Sequence, residues 1–476
     1  MPRSAQWAGI QRVAKKAHRL RCAVVLGLTA QVVVVFPAPL ASATDGSKGI
    51  ACSASALIRA INVANASPGA DTLRLAPRCT YRLLADPGTG NGLPAITSQV
   101  TIQGRGAVIR RDPAAPPFRV LFVSDGGDLT LSRTTIEGGI AIDCPNEGVG
   151  VCGGGISSLG KLTVNNSRVR ANKVASDVAV AAGGGIATGG DDGVGTAVLV
   201  DTEISGNDVA YEGSTAGFAV GGGLFSNGPV TVSRSRIFKN RVRVSADTQS
   251  SAFGSGYAAF ASATVKKTII SQNRSDAPGG DAAGALTNGA TEPTKMMVID
   301  TVIRNNTVSA PRGEAVGGAV ATPGLISLRG VEIVGNEVAA LEGGTAYSGG
   351  VHIGQPVTVV TIEGSIIHNN AARTSGGGSA RGGGVGNANG GTVSITRSRL
   401  EGNEVTAGGV GVAQGGGIFT ATGTTSVFQS TVSRNRADDG GGIYKESGTV
   451  SLEDSGVKQN VPNNCAPPGS VPGCFG

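Results

Sequence analysis

The chain has 476 residues, of which 77 are glycine, while aromatic residues make up only 4%. So few large side chains exclude an ordinary globular core, and the supply of Val, Ile and Leu excludes a disordered chain. The formal net charge of +7 comes mostly from the N-terminal end of the chain.

Residues 1–43 have the pattern of a secretory signal peptide. A basic stretch precedes an apolar run at 22–36, and Ala41-Ser42-Ala43 fits the small-x-small cleavage pattern. A signal anchor is the alternative, but the apolar run is short for a membrane span. No later segment has about 18 uninterrupted apolar residues, so we expect no transmembrane segment in the mature chain.

The charge of the mature chain differs from that of the precursor. Residues 1–43 contain six basic and no acidic residues, so 34 Lys and Arg remain against 33 Asp and Glu. Nucleic-acid binding requires a basic surface, and a net charge of +1 does not supply one. We therefore expect no nucleic-acid partner, and we predict a monomer that is secreted or held at the cell surface.

Six cysteines remain after residue 43, an even number that favours disulfides in an exported chain. Their spacing favours Cys52–Cys79, Cys144–Cys152 and Cys465–Cys474, although the sequence leaves 15 pairings open. Zinc is the alternative for a cysteine cluster. Neither a CxxC motif nor paired His accompanies these cysteines, so we expect no metal.

A unit of about 33 residues repeats along the chain and ends on asparagine. The ten asparagines are Asn172, Asn207, Asn240, Asn273, Asn306, Asn336, Asn370, Asn403, Asn435 and Asn460. Gly139 takes the same place in an earlier unit, so about eleven units run from about 100 to 460. Five residues before the Asn stands Ser or Thr, except at Val331, and three residues before it stands an aliphatic residue.

The Ser or Thr and the aliphatic residue are two positions apart, so they share one face of a strand. We expect that face to point into a core. A second strand precedes it, marked for example by Val232, and a third follows a glycine cluster such as Gly221-Gly222-Gly223. The stretch after each Asn, such as 173–182, is rich in Ala, Gly and Asp, and we expect a surface loop there.

Three short strands per unit predict one coil of an all-β, parallel β-helix, in which stacking buries what a single coil cannot. The asparagines are predicted to stack as a ladder at a turn. A β-propeller is the alternative, but its blades are longer and carry aromatic signatures that this chain lacks.

The GGGI clusters, each followed by an apolar strand and SxIxxN, resemble the right-handed parallel β-helix repeat proteins of bacteria. They also resemble the repeats of chlamydial polymorphic outer membrane proteins, whose FxxN motif appears here as IxxN or VxxN. Residues 52–83 look like the cap of secreted β-helix proteins. The resemblance implies a right-handed, single-stranded, pectin-lyase-like β-helix, a fold that hosts lyases, hydrolases and adhesins.

The predicted organisation after the signal peptide has three parts. A cap over 44–99 contains a short helix with Ser53 as its N-cap and Leu57, Ile58, Ile61 and Ala64 on one side. Repeats fill 100–460. A Pro-rich tail closed by a disulfide occupies 461–476.

One outward column of the repeats is charged on four successive coils, at Asp201, Arg234, Lys267 and Asp300. In a polysaccharide lyase, acids would hold Ca²⁺ and a basic residue would abstract the C5 proton. The alternative, which we favour, is a row of exposed ion pairs between coils, each contributing about 0–1 kcal/mol. We assign no catalytic residue on this evidence.

Other outward positions, such as Arg168, Glu203 and Ile269, are mixed and do not form the regular threonine columns that ice binding requires. The leading hypothesis is an exported, non-catalytic scaffold without a cofactor, either adhesin-like or in contact with polysaccharide at a surface. The alternative is a carbohydrate-active enzyme, a polysaccharide lyase or glycoside hydrolase, for which Ca²⁺ is an option only if it is a lyase.

Overall fold

The computed structural model describes residues 49–142, 152–178, 180–190, 195–245, 250–289 and 295–475. The predicted signal peptide and Cys144 lie outside these residues. Within them the chain forms an all-β, parallel β-solenoid of about ten turns, against about eleven predicted units. None of the described helices is long and apolar enough to cross a membrane.

Four parallel sheets run along the solenoid, with 24, 12, 9 and 8 strands. We name them, in that order, the front, middle, lateral and rear sheets. After each glycine cluster the chain passes through the middle, front, lateral and rear sheets in turn. The strands of the front sheet form two rows.

The first row of the front sheet contains Ala70–Arg74, Gln99–Arg111, Asp128–Glu137, Lys161–Asn165, Thr196–Val200, Val230–Ser233, Ala263–Lys266, Lys295–Ile299, Leu325–Arg329, Val359–Glu363, Thr392–Thr396, Thr424–Phe428 and Thr449–Glu453. The second row, into which the two longest of these strands continue, contains Thr80–Leu83, Arg168–Arg170, Glu203–Ser205, Arg236–Phe238, Ile269–Ser271, Val302–Arg304, Glu332–Val334, Ile366–His368, Arg399–Glu401, Thr431–Ser433 and Gly456–Lys458.

The middle sheet contains Leu121–Val123, Ile156–Ser158, Ile186–Thr188, Leu224–Ser226, Tyr257–Ala259, Leu286–Asn288, Val320–Thr322, Val351–Ile353, Val385–Asn387, Ile418–Thr420, Ile443–Lys445 and Cys465–Ala466. The lateral sheet contains Ile140–Ile142, Lys173–Ser176, Asp208–Tyr211, Arg241–Val244, Arg274–Asp276, Thr307–Ser309, Glu337–Ala340, Ala371–Thr374 and Glu404–Ala407. The rear sheet contains Val180–Ala182, Phe218–Val220, Ser251–Phe253, Asp281–Ala283, Glu314–Val316, Thr345–Tyr347, Ala380–Arg381 and Ala413–Gln414.

A full turn therefore has five short strands rather than three, and it encloses two cores. The middle sheet separates them, because successive side chains of a strand point to opposite faces. In its strand Leu224–Ser226, Leu224 faces the first core, with Val232 and Ile237 of the front sheet. Phe225 faces the second core, which the lateral and rear sheets complete.

The prediction of a surface loop after each asparagine is wrong. Residues Lys173–Ser176 and Val180–Ala182 form strands of the lateral and rear sheets. Val174 and Ala181 are fully buried in the second core. Alanine in this stretch fits a thin core in which two sheets lie close together. Because alanine is small and also common in loops, its presence did not indicate a buried strand.

The predicted single strand around each Ser or Thr is also broken, because a corner separates the two rows of the front sheet. Arg234 sits at this corner with φ +48°. The next residue, Ser235, is buried, and its Oγ accepts a hydrogen bond from the backbone N–H of Thr202 at 3.0 Å. The Ser and Thr residues thus stack at the corner between the rows and bond to neighbouring coils.

The ten asparagines form a second, longer stack at the corner that follows the second row. Asn207 shows the pattern: its backbone N–H and its Nδ2 both donate to Oδ1 of Asn240, at 3.0 and 2.9 Å. Its Nδ2 also donates to the carbonyl of Val169 at 3.1 Å. The ladder residues are buried, so water does not reach the backbone groups beside them. The side-chain amides supply the hydrogen-bond partners that these backbone groups would otherwise lack.

The glycine clusters mark the waist where the two cores meet. Gly221 has φ +65°, which favours glycine. A Cβ on Gly222 would lie 2.4 Å from the Ser255 carbonyl oxygen and 2.8 Å from that of Arg241. A Cβ on Gly223 would lie 2.9 Å from Nδ2 of Asn240. Glycine is therefore needed there for close approach as well as for a sharp corner.

The ends of the solenoid are closed by a helix and by disulfides. The predicted helix is confirmed as α1, Ala54–Ala66, with the Ser53 side chain accepting a hydrogen bond from Ala56 N–H. Its residues Leu57, Ile61 and Ala64 are buried, and Ile58 is half-buried. The predicted pairs Cys52–Cys79 and Cys465–Cys474 are also confirmed, whereas the third pair includes Cys144, outside the described residues.

Candidate functional site

The four charged candidates all occupy the corner between the two rows of the front sheet. Asp201, Arg234, Lys267 and Asp300 have φ between +47° and +51°, so the backbone turns sharply at each of them. The sequence prediction that they stack on successive coils agrees with the register of the flanking strands.

Only one pair among these candidates is bonded in the described structure. Arg234 Nε and Nη2 donate to the two carboxylate oxygens of Asp201 at 2.9 and 2.8 Å. This hydrogen-bonded ion pair lowers the pKa of Asp201 and raises that of Arg234. A carboxylate with a lowered pKa is a poor proton donor at neutral pH, so the pair has the chemistry of a surface ion pair.

The adjoining outward column is charged in the same coils. Arg168, Glu203 and Arg236 lie side by side across three coils. The Arg236 guanidinium lies 4.8 Å from the ring centroid of Phe238. These contacts hold the charged side chains along the surface and give no enclosed site.

A column of hydroxyl side chains follows the first row of the front sheet on its solvent side. Strand registers place one central outward residue of each strand beside the next. The hydroxyl column consists of Thr72, Thr101, Thr130, Thr163, Thr231, Thr264, Ser327, Thr361, Ser394, Ser426 and Ser451. Val198 and Met297 interrupt it, with exposures of 42% and 40%.

Strand geometry fixes the spacing of this column. Adjacent strands lie about 4.8 Å apart, so hydroxyl groups recur at that interval along a rigid sheet whose other face is packed in the first core. Thr231, for example, stands between the buried residues Val230 and Val232. One hydrogen bond within the described column joins Thr361 Oγ1 to Ser327 Oγ at 3.0 Å.

Two shallow grooves lie on the front sheet, one along the hydroxyl column and one at the start of the first-row strands. One, of about 410 Å³, is lined by residues that include Thr231, Thr264, Met297 and Lys295. The other, of about 490 Å³, is lined by residues that include Asp128 and Lys161. Thr196 borders both grooves, so together they follow the front sheet in the direction of the solenoid axis.

An acid pair that the sequence analysis missed lies on the rear sheet. Asp281 and Glu314 stand on adjacent strands, and the Glu314 backbone N–H donates to Oδ1 of Asp281 at 2.9 Å. Burial raises the pKa of Glu314 to about 7, and the Asp281 carboxylate adds to the rise. Burial also raises the pKa of Asp281. Glu314 is therefore able to hold a proton near neutral pH.

The two histidines beyond residue 43 lie in different sheets. Burial in the second core lowers the pKa of His352 to about 3, and its ring centroid lies 5.9 Å from that of Tyr347. His368 lies on the front sheet, 3.1 Å from Oε1 of Glu332. In the described ranges, no three His, Cys, Asp or Glu side chains converge as a metal site would require.

Comparisons with known proteins add no relative. No protein-family model, curated protein or solved structure matches this chain. The resemblance to pectin-lyase-like and chlamydial repeats therefore remains a prediction, and function has to be argued from the residues themselves.

The sequence did contain a signal for the hydroxyl column. The aliphatic residues that marked the preceding strand, such as Val164, Val232 and Ile362, are each preceded by Ser or Thr. Beside the corner and in the second row, the outward residues are a mixture that includes Arg, Glu and Ile, as predicted. The prediction that outward positions are mixed and form no regular threonine column is wrong for the first row, where most of the central outward residues are Thr or Ser.

Proposed function

We propose that this chain is an exported, non-catalytic scaffold that binds an extended polysaccharide along its front sheet. The observation that carries the proposal is the hydroxyl column, which follows the solenoid from Thr72 to Ser451. A hydroxyl group both donates and accepts hydrogen bonds, and a polysaccharide presents the same groups along its length. A repeating surface therefore faces a repeating ligand.

The rigidity of the sheet favours this role. From Thr101 to Ser426, each hydroxyl residue of the column stands between two buried neighbours on its strand, so little side-chain or backbone freedom is lost on binding. Val198 and Met297 add exposed apolar area beside Thr231 and Thr264, suited to the less polar faces of sugar rings. Both grooves are open to solvent, and each is lined by residues of four successive coils, as an extended chain requires.

The proposal is tested by removing the hydroxyl groups of Thr231 and Thr264, which line one groove beside Met297. We expect Thr231→Val with Thr264→Val to weaken co-sedimentation with insoluble polysaccharides several-fold relative to the unchanged protein. The control is Thr406→Val with Thr431→Val, two half-buried threonines of the lateral sheet and the second row. Equal binding by both double variants, or no binding to any of a broad panel, would count against the proposal.

Export is tested separately. The secreted or surface fraction should contain a chain whose N-terminus follows Ala43 or lies within a few residues of it. Retention inside the cell with residues 1–43 intact would contradict this part of the proposal. Absence of cell-surface material with full recovery in the medium would favour a released protein over an adhesin-like one.

The acid pair favours a second candidate, glycoside hydrolysis. Such enzymes use two carboxyl groups, one of which keeps its proton near neutral pH, and Glu314 beside Asp281 has that property. Release of reducing ends from a polysaccharide panel, lost in Glu314→Gln and Asp281→Asn but kept in Asp201→Asn, would support this candidate. No release by the unchanged protein would leave the scaffold as the better account.

A further inference from the structure

Three arginines stack on the first coils of the solenoid, and we call them the arginine column: Arg78, Arg105 and Arg133. All three are exposed and have φ between +49° and +55°. The Arg78 backbone N–H donates to the Arg105 carbonyl. Gln103 pairs with Ser132 and Ala107 pairs with Thr134, so residues 104–106, with Arg105 at their centre, lie opposite Arg133. The three side chains therefore leave three adjacent coils, whose strands lie about 4.8 Å apart.

The arginine column differs from other charged columns of the protein in its lack of acidic neighbours. In the described part of the chain, none of its three side chains forms an ion pair. Elsewhere Arg234 pairs with Asp201, and Glu363 lies between Arg329 and Arg397. Like charges placed side by side across strands are destabilising, so the column is arranged as if an anion were to lie along it.

The arginine column borders the hydroxyl column. Arg133 follows Ser132, and Thr130 is the residue of the hydroxyl column on the same strand. On the neighbouring strand Arg105 lies four residues after Thr101, against three from Thr130 to Arg133, because that strand has two extra residues between Gln103 and Ala107. A linear polymer that lies on the hydroxyl column would therefore pass beside three guanidinium groups over a length of roughly 10 Å, which is two spacings between adjacent strands.

We infer that the arginine column binds the anionic groups of an acidic polysaccharide whose chain lies along the hydroxyl column. This inference rests on the proposed function and narrows its ligand class. Guanidinium groups bind sulfate and carboxylate through paired N–H donors. A single row of charges parallel to the axis suits a linear polymer with regularly repeated anionic groups better than it suits a broad, planar membrane surface.

Substitution of the column is structurally mild. Gln429 occupies the corresponding corner in a later coil with φ +47°, so glutamine is accepted in this backbone conformation. The triple variant Arg78→Gln, Arg105→Gln, Arg133→Gln removes three charges and keeps hydrogen-bonding groups. The matched control is Arg234→Gln, Arg373→Gln, Arg397→Gln, which removes three charges from arginines that pair with acids.

The test compares dextran sulfate and polygalacturonate with neutral dextran, using the mature protein. For at least one of the two polyanions, we expect the triple column variant to raise the Kd roughly tenfold, since three exposed charge contacts with the polymer are lost. The control variant should change it less than about threefold. Binding of the polyanion should weaken as NaCl rises, because salt screens exposed charges.

The possible results separate this inference from the proposed function. Unchanged polyanion binding in the triple column variant overturns the inference, whereas the threonine variants test the scaffold function independently with neutral polymers. Binding to vesicles with anionic lipids, together with no binding to either polyanion, also overturns it. Circular dichroism and the melting temperature of each variant show whether a loss of binding reflects a loss of folding.

Discussion

Asn240 is held against Asn273 by two hydrogen bonds of 3.0 Å, because its backbone N–H and its Nδ2 both donate to the Oδ1 atom of Asn273. Nδ2 of Asn240 also donates to the carbonyl of Ile204 at 3.0 Å, one coil earlier. One side chain thus joins three successive coils. Both asparagines are buried, so water does not replace a bond that is lost.

We expect Asn273→Ala to lower the free energy of unfolding by about 2–4 kcal/mol, since two donors of Asn240 and the carbonyl of Ile237 lose their partner. Denaturant unfolding measures the change. Gln272→Gly is the control, because Gln272 has φ +56° and Gly206 and Gly335 occupy the same corner in other coils. A loss below about 0.5 kcal/mol in Asn273→Ala would show that the ladder contributes little.

The glycine waist predicts a sharp contrast between two alanine substitutions. Gly222→Ala should prevent folding or cost several kcal/mol, because its Cβ would meet two backbone oxygens at 2.4 and 2.8 Å. Gly456→Ala should be close to neutral, since nothing lies within 4 Å of the added Cβ and its φ is not positive. Soluble yield and melting temperature distinguish them. Similar values for the two variants would contradict the close approach at the waist.

The acid pair predicts that stability falls as the pH rises through the neutral range. The pKa of Glu314 is raised from its ordinary value of 4.5 to about 7, so the folded chain favours the protonated carboxyl. Stability from this preference is present at low pH and is lost between about 4.5 and 7. Asp281, whose pKa is also raised by burial, acts in the same direction.

Relative to the unchanged protein, Glu314→Gln should therefore gain stability between pH 5 and pH 8, on the order of 1–3 kcal/mol. Urea unfolding at the two pH values measures the gain. Glu342→Gln, at an exposed glutamate 3.9 Å from Arg312, should show no comparable pH dependence. Parallel stability curves for Glu314→Gln and the unchanged protein would refute the raised pKa.

The disulfides can be checked chemically. Peptide mapping of the unreduced protein should recover Cys52 linked to Cys79 and Cys465 linked to Cys474. Replacing both Cys465 and Cys474 by Ser should expose the last coil to proteolysis and cost about 2–3 kcal/mol for the loop released. Free thiols at these four positions in exported material would contradict the assignment.

The sequence predicted the solenoid because its strongest signals are local and periodic. A buried Asn and an aliphatic residue, such as Asn240 and Ile237, recur at fixed spacing, and periodic burial is what stacked coils require. The second core escaped prediction because Ala181 and its counterparts have small side chains that look like loop composition. Pairing across coils, as between Arg234 and Asp201, was expected in kind, although its bonds depend on side-chain geometry.

The acid pair could not be predicted for a different reason. Asp281 and Glu314 become neighbours only through the register of the rear sheet, whose strands were assigned to a loop. Their raised pKa values depend on how deeply those strands are covered, which periodicity does not report. The hydroxyl column, by contrast, is predictable from the sequence, because a Ser or Thr precedes the aliphatic residues, such as Val232, that mark the first row. It was missed because the outward residues of that row were not compared between coils.

The ladder has a consequence for how such a chain changes over evolutionary time. Every coil offers its successor the same bonding groups at the same places, so a deletion of 241–273 would set Asn240 against Asn306, whose Oδ1 already accepts the equivalent pair of hydrogen bonds from Asn273. Recombination between repeats can then lengthen or shorten the protein by whole turns while both ends stay sealed. The length of the front sheet, and of the hydroxyl column on it, is then set by the number of repeats rather than by substitution.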